Sequence, residues 1–150
     1  MELSEKVAAI LEEAYLYALK ERYEYITPEM LLFVLCEDGE FQEAIDDCAG
    51  SVVGLAGLLK TYMERYLEKK PTGEQGPELS AGVNLAFNYA AQSAENSGHD
   101  VIELRHLVFG ICQLKDSFAV YYLKHQVDVP ELLGRLTEME TGDSFAEDEE

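Results

Sequence analysis

The chain has 150 residues, 30 of them Asp or Glu and 11 Lys or Arg, for a formal net charge of −19 and a pI near 4.3. A surface of that sign repels phosphate backbones and anionic lipid, which argues against direct nucleic-acid or membrane binding. With 47% hydrophobic residues and only four prolines, the chain has the means for one packed domain and does not fall in the disordered class.

Helical periodicity starts at the amino terminus. Ser4 is placed to cap a helix over residues 4–21, whose apolar face is Val7, Ile10, Leu11, Ala14 and Ala18 at steps of three and four. The opening stretch carries acids where a secretory leader would carry bases, and no apolar run approaches the ~18 residues of a membrane span. Thr27-Pro28-Glu29 starts a second helix: a cap, a proline in the first turn and an acid near the positive end of the dipole. The following Met30 to Cys36 is apolar on nearly all sides and is expected to be buried. Shorter helices are predicted around Phe41–Asp47 and Val52–Leu67. A Pro- and Gly-bearing connector, Glu68 to Leu79, then reads as an exposed link.

Shifting the sequence by 76 residues superimposes it on itself. Ser4 falls on Ser80, Val7 on Val83, Ala14 on Ala90, Ala18 on Ala94, Ile26 on Ile102, Leu31 on Leu107, Phe33 on Phe109 and Cys36 on Cys112. These identities sit at apolar, small or capping positions, where a repeated fold needs them. One inserted residue continues the match, pairing Phe41 with Phe118, Ser51 with Asp128, Val52 with Val129, Leu55 with Leu132 and Leu59 with Leu136. The predicted fold is therefore all-α: two pseudo-twofold-related four-helix repeats packed into one domain over 1–136. Repeat one covers 4–67, the connector 68–79 and repeat two 80–136. Two units are too few for an open solenoid. Residues 137–150 lose periodicity, hold seven acids and no bases, and read as an acidic tail or linker.

Chemistry is conspicuous by its lack of focus. There is no phosphate-binding G-x-x-x-x-G-K-[ST] loop, no H-E-x-x-H and no G-x-S-x-G. His99, His106 and His125 are scattered, with His106 expected to be packed or capping, and no metal site is predicted. Cys36, Cys48 and Cys112 are an odd set without a CxxC pair, which suits a reducing compartment and thiols used as small hydrophobes. No catalytic residue and no cofactor are expected, and the acids read as solvated surface. An enzyme on a helical scaffold rests only on the presence of His, Cys and acids. The remaining expectation is a rigid body that offers acidic surface to a partner protein.

The repeat resembles the double-repeat amino-terminal domain of Clp/Hsp100 AAA+ unfoldases. Ile26-Thr27-Pro28-Glu29-Met30-Leu31-Leu32 resembles that family's Thr-x-Glu-His-Leu-Leu helix start with Met30 in the histidine's place. Ile102-Glu103-Leu104-Arg105-His106-Leu107 is a weaker version that keeps the histidine, and Pro77-Glu78-Leu79-Ser80 resembles the entry to the second repeat. Glu43 to Cys48 and Tyr122 to Val127 resemble segments of the ClpA type. The resemblance implies a non-catalytic, cytoplasmic bacterial module that docks a ClpS-type adaptor or degron-bearing substrates. ATP and Mg²⁺ would act only in downstream modules, and the ClpP peptidase would be met indirectly. Carried over by position, it assigns adaptor or substrate contact to Glu24, Glu29 and Glu78. The alternatives are a stand-alone Clp-repeat regulator and the N-domain of a ClpC- or ClpB-like chaperone.

Overall fold

A computed structural model describes residues 1–70 and 76–142. In chain order the elements are β1 (Glu2–Leu3), α1 (Glu5–Glu21), β2 (Tyr25–Ile26), α2 (Pro28–Leu35), α3 (Gly39–Asp47) and α4 (Val52–Tyr66). The second repeat follows as β3 (Glu78–Leu79), α5 (Ala81–Asn96), β4 (Val101–Ile102), α6 (Leu104–Cys112), α7 (Phe118–Lys124) and α8 (Val129–Thr141). Each predicted start carries its cap: Ser4, Thr27, Ser51 and Asp128 accept the backbone N–H of Val7, Met30, Gly54 and Glu131. Ser80 does the same for Val83.

The repeats exchange backbone symmetrically. β1 pairs in parallel with β4, and β2 with β3. The N–H of Ser4 donates to the Ile102 carbonyl at 3.0 Å, and its repeat mate Ser80 donates to Ile26 at 3.0 Å. These short ladders satisfy the groups left open at the starts of α1 and α5. Helical periodicity does not announce them, because two-residue strands leave no alternation to read. One continuous hydrophobic cluster joins the halves, with Val7, Leu31 and Leu55 from the first and Val83, Leu107 and Leu132 from the second, all fully buried. α2 is buried nearly all round, as its composition requires.

Two sequence expectations need correction. The last helix runs to Thr141, past the boundary at 136, and ends at Gly142 with φ 75°. Its final turn is held by side chains more than by a core face: Arg105 pairs with Glu140 at 3.1 Å, and the Thr141 hydroxyl donates to the Thr137 carbonyl. The rest of the acidic tail, 143–150, lies outside the described residues, as do connector residues 71–75. The second correction concerns Phe118. Counted from their caps, Phe41 and Val120 are both third helical residues and are 0% and 2% exposed, whereas Phe118 is the first residue of α7 and 47% exposed. The α6–α7 connection is longer than α2–α3 and α7 is shorter than α3, so the offset between repeats changes twice.

Candidate docking surface

The exit of α1 and the entry to α5 meet in one corner. Arg22 ends α1 in the left-handed region at φ 67°. The chain then extends through Glu24 into β2, where Glu24 receives and gives backbone bonds. Its N–H donates to the Glu68 carbonyl, and its carbonyl accepts from the Glu78 N–H, both at 3.2 Å. The β2–β3 register sets Tyr25 beside Glu78. Glu24 and Glu78, 54 positions apart by their numbers, thus lie at neighbouring positions of one small ladder, with Glu24 half-buried and Glu78 exposed. The corner is braced by the N–H of Lys70, which donates to the Arg22 carbonyl at 2.8 Å, and by the Lys69 ammonium 4.9 Å from the Tyr23 ring centroid. Of the four tyrosines at the end of α1, Tyr23 is core and packs beside Tyr17, while Tyr15 and Tyr25 are exposed.

Glu29 sits differently. It is 6% exposed, and one carboxylate oxygen accepts both the Phe118 N–H at 2.9 Å and the Ala119 N–H at 3.1 Å. A charged acceptor facing open N–H groups at a helix start is a strong arrangement. Glu29 therefore ties α2 of one repeat to α7 of the other. The residue was legible as a first-turn acid, but a bond spanning 89 positions has no sequence signal.

Repeat two replaces this acid with Arg105, which uses Glu140 instead: its N–H and its guanidinium both donate to that carboxylate, at 2.9 and 3.1 Å. Beside it, His106 forms a capping box with Glu103, its Nδ1 accepting the Glu103 N–H at 2.9 Å. The proton therefore sits on Nε2, which is buried and has no hydrogen-bond partner among the described residues. Burial first, then the neighbouring Arg105 and His99, lower the His106 pKa from 6.5 to about 4. A folded-state pKa below the unfolded one means stability present above about pH 6.5 and lost as pH falls toward 4. We expect an acid-sensitive loss of up to about 3 kcal/mol from this group. Urea midpoints at about pH 7 and pH 4.5 measure it. The expected outcome is a smaller drop for His106→Gln than for wild type, and equal drops would refute the assignment.

Burial raises the Cys36 and Cys112 thiols to about 12, so both remain protonated and inert at neutral pH. Among the described residues no group of three or more His, Cys, Asp or Glu could hold a metal. No helix among them is long and apolar enough to cross a membrane.

The family model described as Clp repeat (R) N-terminal domain matches residues 2–126. The chain is similar to the chaperone protein ClpB of Chlamydia pneumoniae, 29% identical over 145 residues, covering 93% of this chain and 16% of that protein. The chain thus spans a small part of the curated relative's length. Its fold is similar to the crystal structure of the Hsp104 N-terminal domain from Candida albicans, with TM-score 0.82 at 9% identity, covering 96% of this chain and 95% of that one. It is also similar to the N-domain of ClpV from Vibrio cholerae, with TM-score 0.75 at 15% identity, covering 96% of this chain and 87% of that one.

Proposed function

The chain belongs to the Clp repeat N-terminal domain family, and from that premise we propose that it is the protein-interaction module of a Clp/Hsp100 unfoldase, docking an adaptor or substrate at the β2–β3 corner. The observation that carries this reading is the meeting of Glu24 and Glu78 on one ladder, joined by a backbone bond of 3.2 Å. Two carboxylates on a braced backbone give a partner's Lys or Arg a fixed target, and such pairs set specificity and on-rate more than raw affinity. Glu29 serves the same corner from behind, fixing α2 against α7 so that the ladder keeps its geometry.

The finer reading is ClpA-like, with a ClpS-type adaptor as the partner. It is supported by the segments Glu43 to Cys48 and Tyr122 to Val127 and by the position of Glu24 and Glu29 after α1. In that reading ATP and Mg²⁺ act in further modules in the cytoplasm, and ClpP receives substrate through the unfoldase. A second reading, the N-domain of a ClpB-like chaperone, is supported by the 29% match; it keeps the corner as a docking site and exchanges the adaptor for unfolded protein substrates. Titrating the chain with a ClpS-type adaptor separates the two. The ClpA-like reading expects saturable binding that Glu24→Ala/Glu78→Ala weakens by about tenfold, roughly 1.4 kcal/mol. Absence of binding by wild type removes the adaptor, and undiminished binding by the double variant removes the site.

A further inference from the structure

A second exposed surface, formed by α4 and α7, presents side chains other than those of the corner just described. Tyr62 and Tyr66 on α4 meet Phe118, Tyr121 and Tyr122 on α7 in a continuous ring cluster. Tyr62 lies 4.9 Å from Phe118 and 5.4 Å from Tyr66, centroid to centroid, and Tyr121 lies 5.2 Å from Tyr122. Aromatic cores bury such rings, yet Tyr66 is 66% exposed, Tyr121 53% and Phe118 47%. Rigid aromatic area held open to solvent, with its rings positioned by one another, is what docking surfaces are built from.

The pseudo-twofold shows what the fold itself requires at this place. In the symmetric α3–α8 face, Asp47 ends α3 and pairs with Arg135 of α8 at 2.7 Å, while Glu43 adds a second contact at 3.7 Å. Matched from the C-caps Cys48 and His125, Asp47 corresponds to Lys124; matched from the N-caps Asp128 and Ser51, Arg135 corresponds to Leu58. One face is therefore closed by its own ion pairs. The other presents an exposed Leu58 and a Lys124 with no ion pair among the described residues. Arg65, three residues after Tyr62, and Lys115, just before α7, are exposed and likewise make no ion pair there. In a chain with 30 acids and 11 bases, four exposed bases, Lys60, Arg65, Lys115 and Lys124, lie on α4, on α7 or just before α7, beside the open aromatic cluster. Glu64, Glu68 and Asp116 are solvent-facing acids on or within two residues of these two elements; Glu29, beneath α7, is committed to its amides.

We propose that the α4–α7 face binds an acidic protein segment carrying an aromatic or large apolar anchor: the anchor lies on Tyr62, Tyr66, Phe118 and Tyr121, and its carboxylates meet Arg65 and Lys124. The segment supplies to Lys124 the anion that Asp47 supplies to Arg135 on the other face. This site is separate from the Glu24–Glu78 corner and does not depend on it.

The test is fluorescence anisotropy of the chain with a labelled short peptide of Glu and Asp around a single Phe, and with the same peptide bearing Lys at every acid. The acidic peptide should bind, more weakly as salt rises. Its affinity should fall by about tenfold or more in Tyr66→Ala/Tyr121→Ala and again in Lys124→Glu. All three side chains are exposed, so unchanged melting curves verify that the variants fold. Glu24→Ala/Glu78→Ala should bind the peptide as wild type does, which keeps this outcome distinct from that of the adaptor titration. Absence of binding, equal or tighter binding of the Lys peptide, or indifference to Lys124→Glu would overturn the proposal.

Discussion

Gly110→Ala should destabilise the fold by about 3 kcal/mol or more, at the upper end of what overpacking a core costs. Gly110 lies on α6 against α5, and a Cβ built there falls 2.1 Å from the Ala86 carbonyl oxygen and 3.1 Å from the Ala90 nitrogen. Both obstacles are backbone, so no side chain can swing away and the helices themselves must part. The sequence arranges this approach with small residues: Ala86, Ala90 and Ala94 are fully buried along α5. In the first repeat the matching positions are Ile10 and Val34, so a crossing that repeat one fills with side chains is closed in repeat two by backbone contact. Thermal melts should show a fall of roughly 10 °C. Gly57→Ala, in exposed α4 with nothing within 4 Å of the new Cβ, should instead stabilise by about 0.5–1 kcal/mol through helix propensity. A neutral Gly110→Ala would mean that α5 and α6 are not in backbone contact.

Glu29→Ala should cost about 2–4 kcal/mol. The variant strips the acceptor from two amides at the start of α7, one of them buried, and lost hydrogen bonds to a charged group are worth about 1.5–3 kcal/mol before the stranded donors are counted. Glu29→Gln keeps an oxygen at the same place and should lose only about half as much, since the charge assistance and the dipole interaction go but the acceptor stays. Urea unfolding with an unchanged slope measures both. Because Phe118 is the residue whose amide is released, the near-ultraviolet signal of the α4–α7 tyrosines should weaken in Glu29→Ala before global unfolding. A cost below about 0.5 kcal/mol, typical of surface substitutions, would return Glu29 to the role of an ordinary exposed acid.

Legibility in the sequence followed the physics of each feature. Helix starts were readable because a cap is a local event: Ser4, Thr27, Ser51 and Asp128 each bond an amide three residues on. The repeat was readable because burial repeats, and Val7 and Val83 or Leu31 and Leu107 occupy the same fully buried places. His106 was legible only as a packed or capping residue; its bond to the Glu103 N–H and its orphaned Nε2 needed the packing around it. What escaped was the long-range chemistry. The two-residue strands, the Glu29–α7 bond and the Arg105–Glu140 pair join segments that no periodicity relates. The aromatic cluster escaped because its rings come from two helices in different repeats, and pairing Phe118 with the buried Phe41 hid its exposure. The acids Glu24 and Glu78 came from resemblance, and only the β2–β3 register brings them together.

In the function proposed for the chain, the exit of α1 and the entry to α5 form one docking corner. Hydrogen exchange of the chain, free and saturated with a ClpS-type adaptor, tests it most directly, since backbone protection reports the footprint without altering a residue. We expect added protection at residues 22–26 and 76–80 together, with α3 and α8 unchanged. Protection confined to α3 and α8, or at one of the two corner segments without the other, would contradict it.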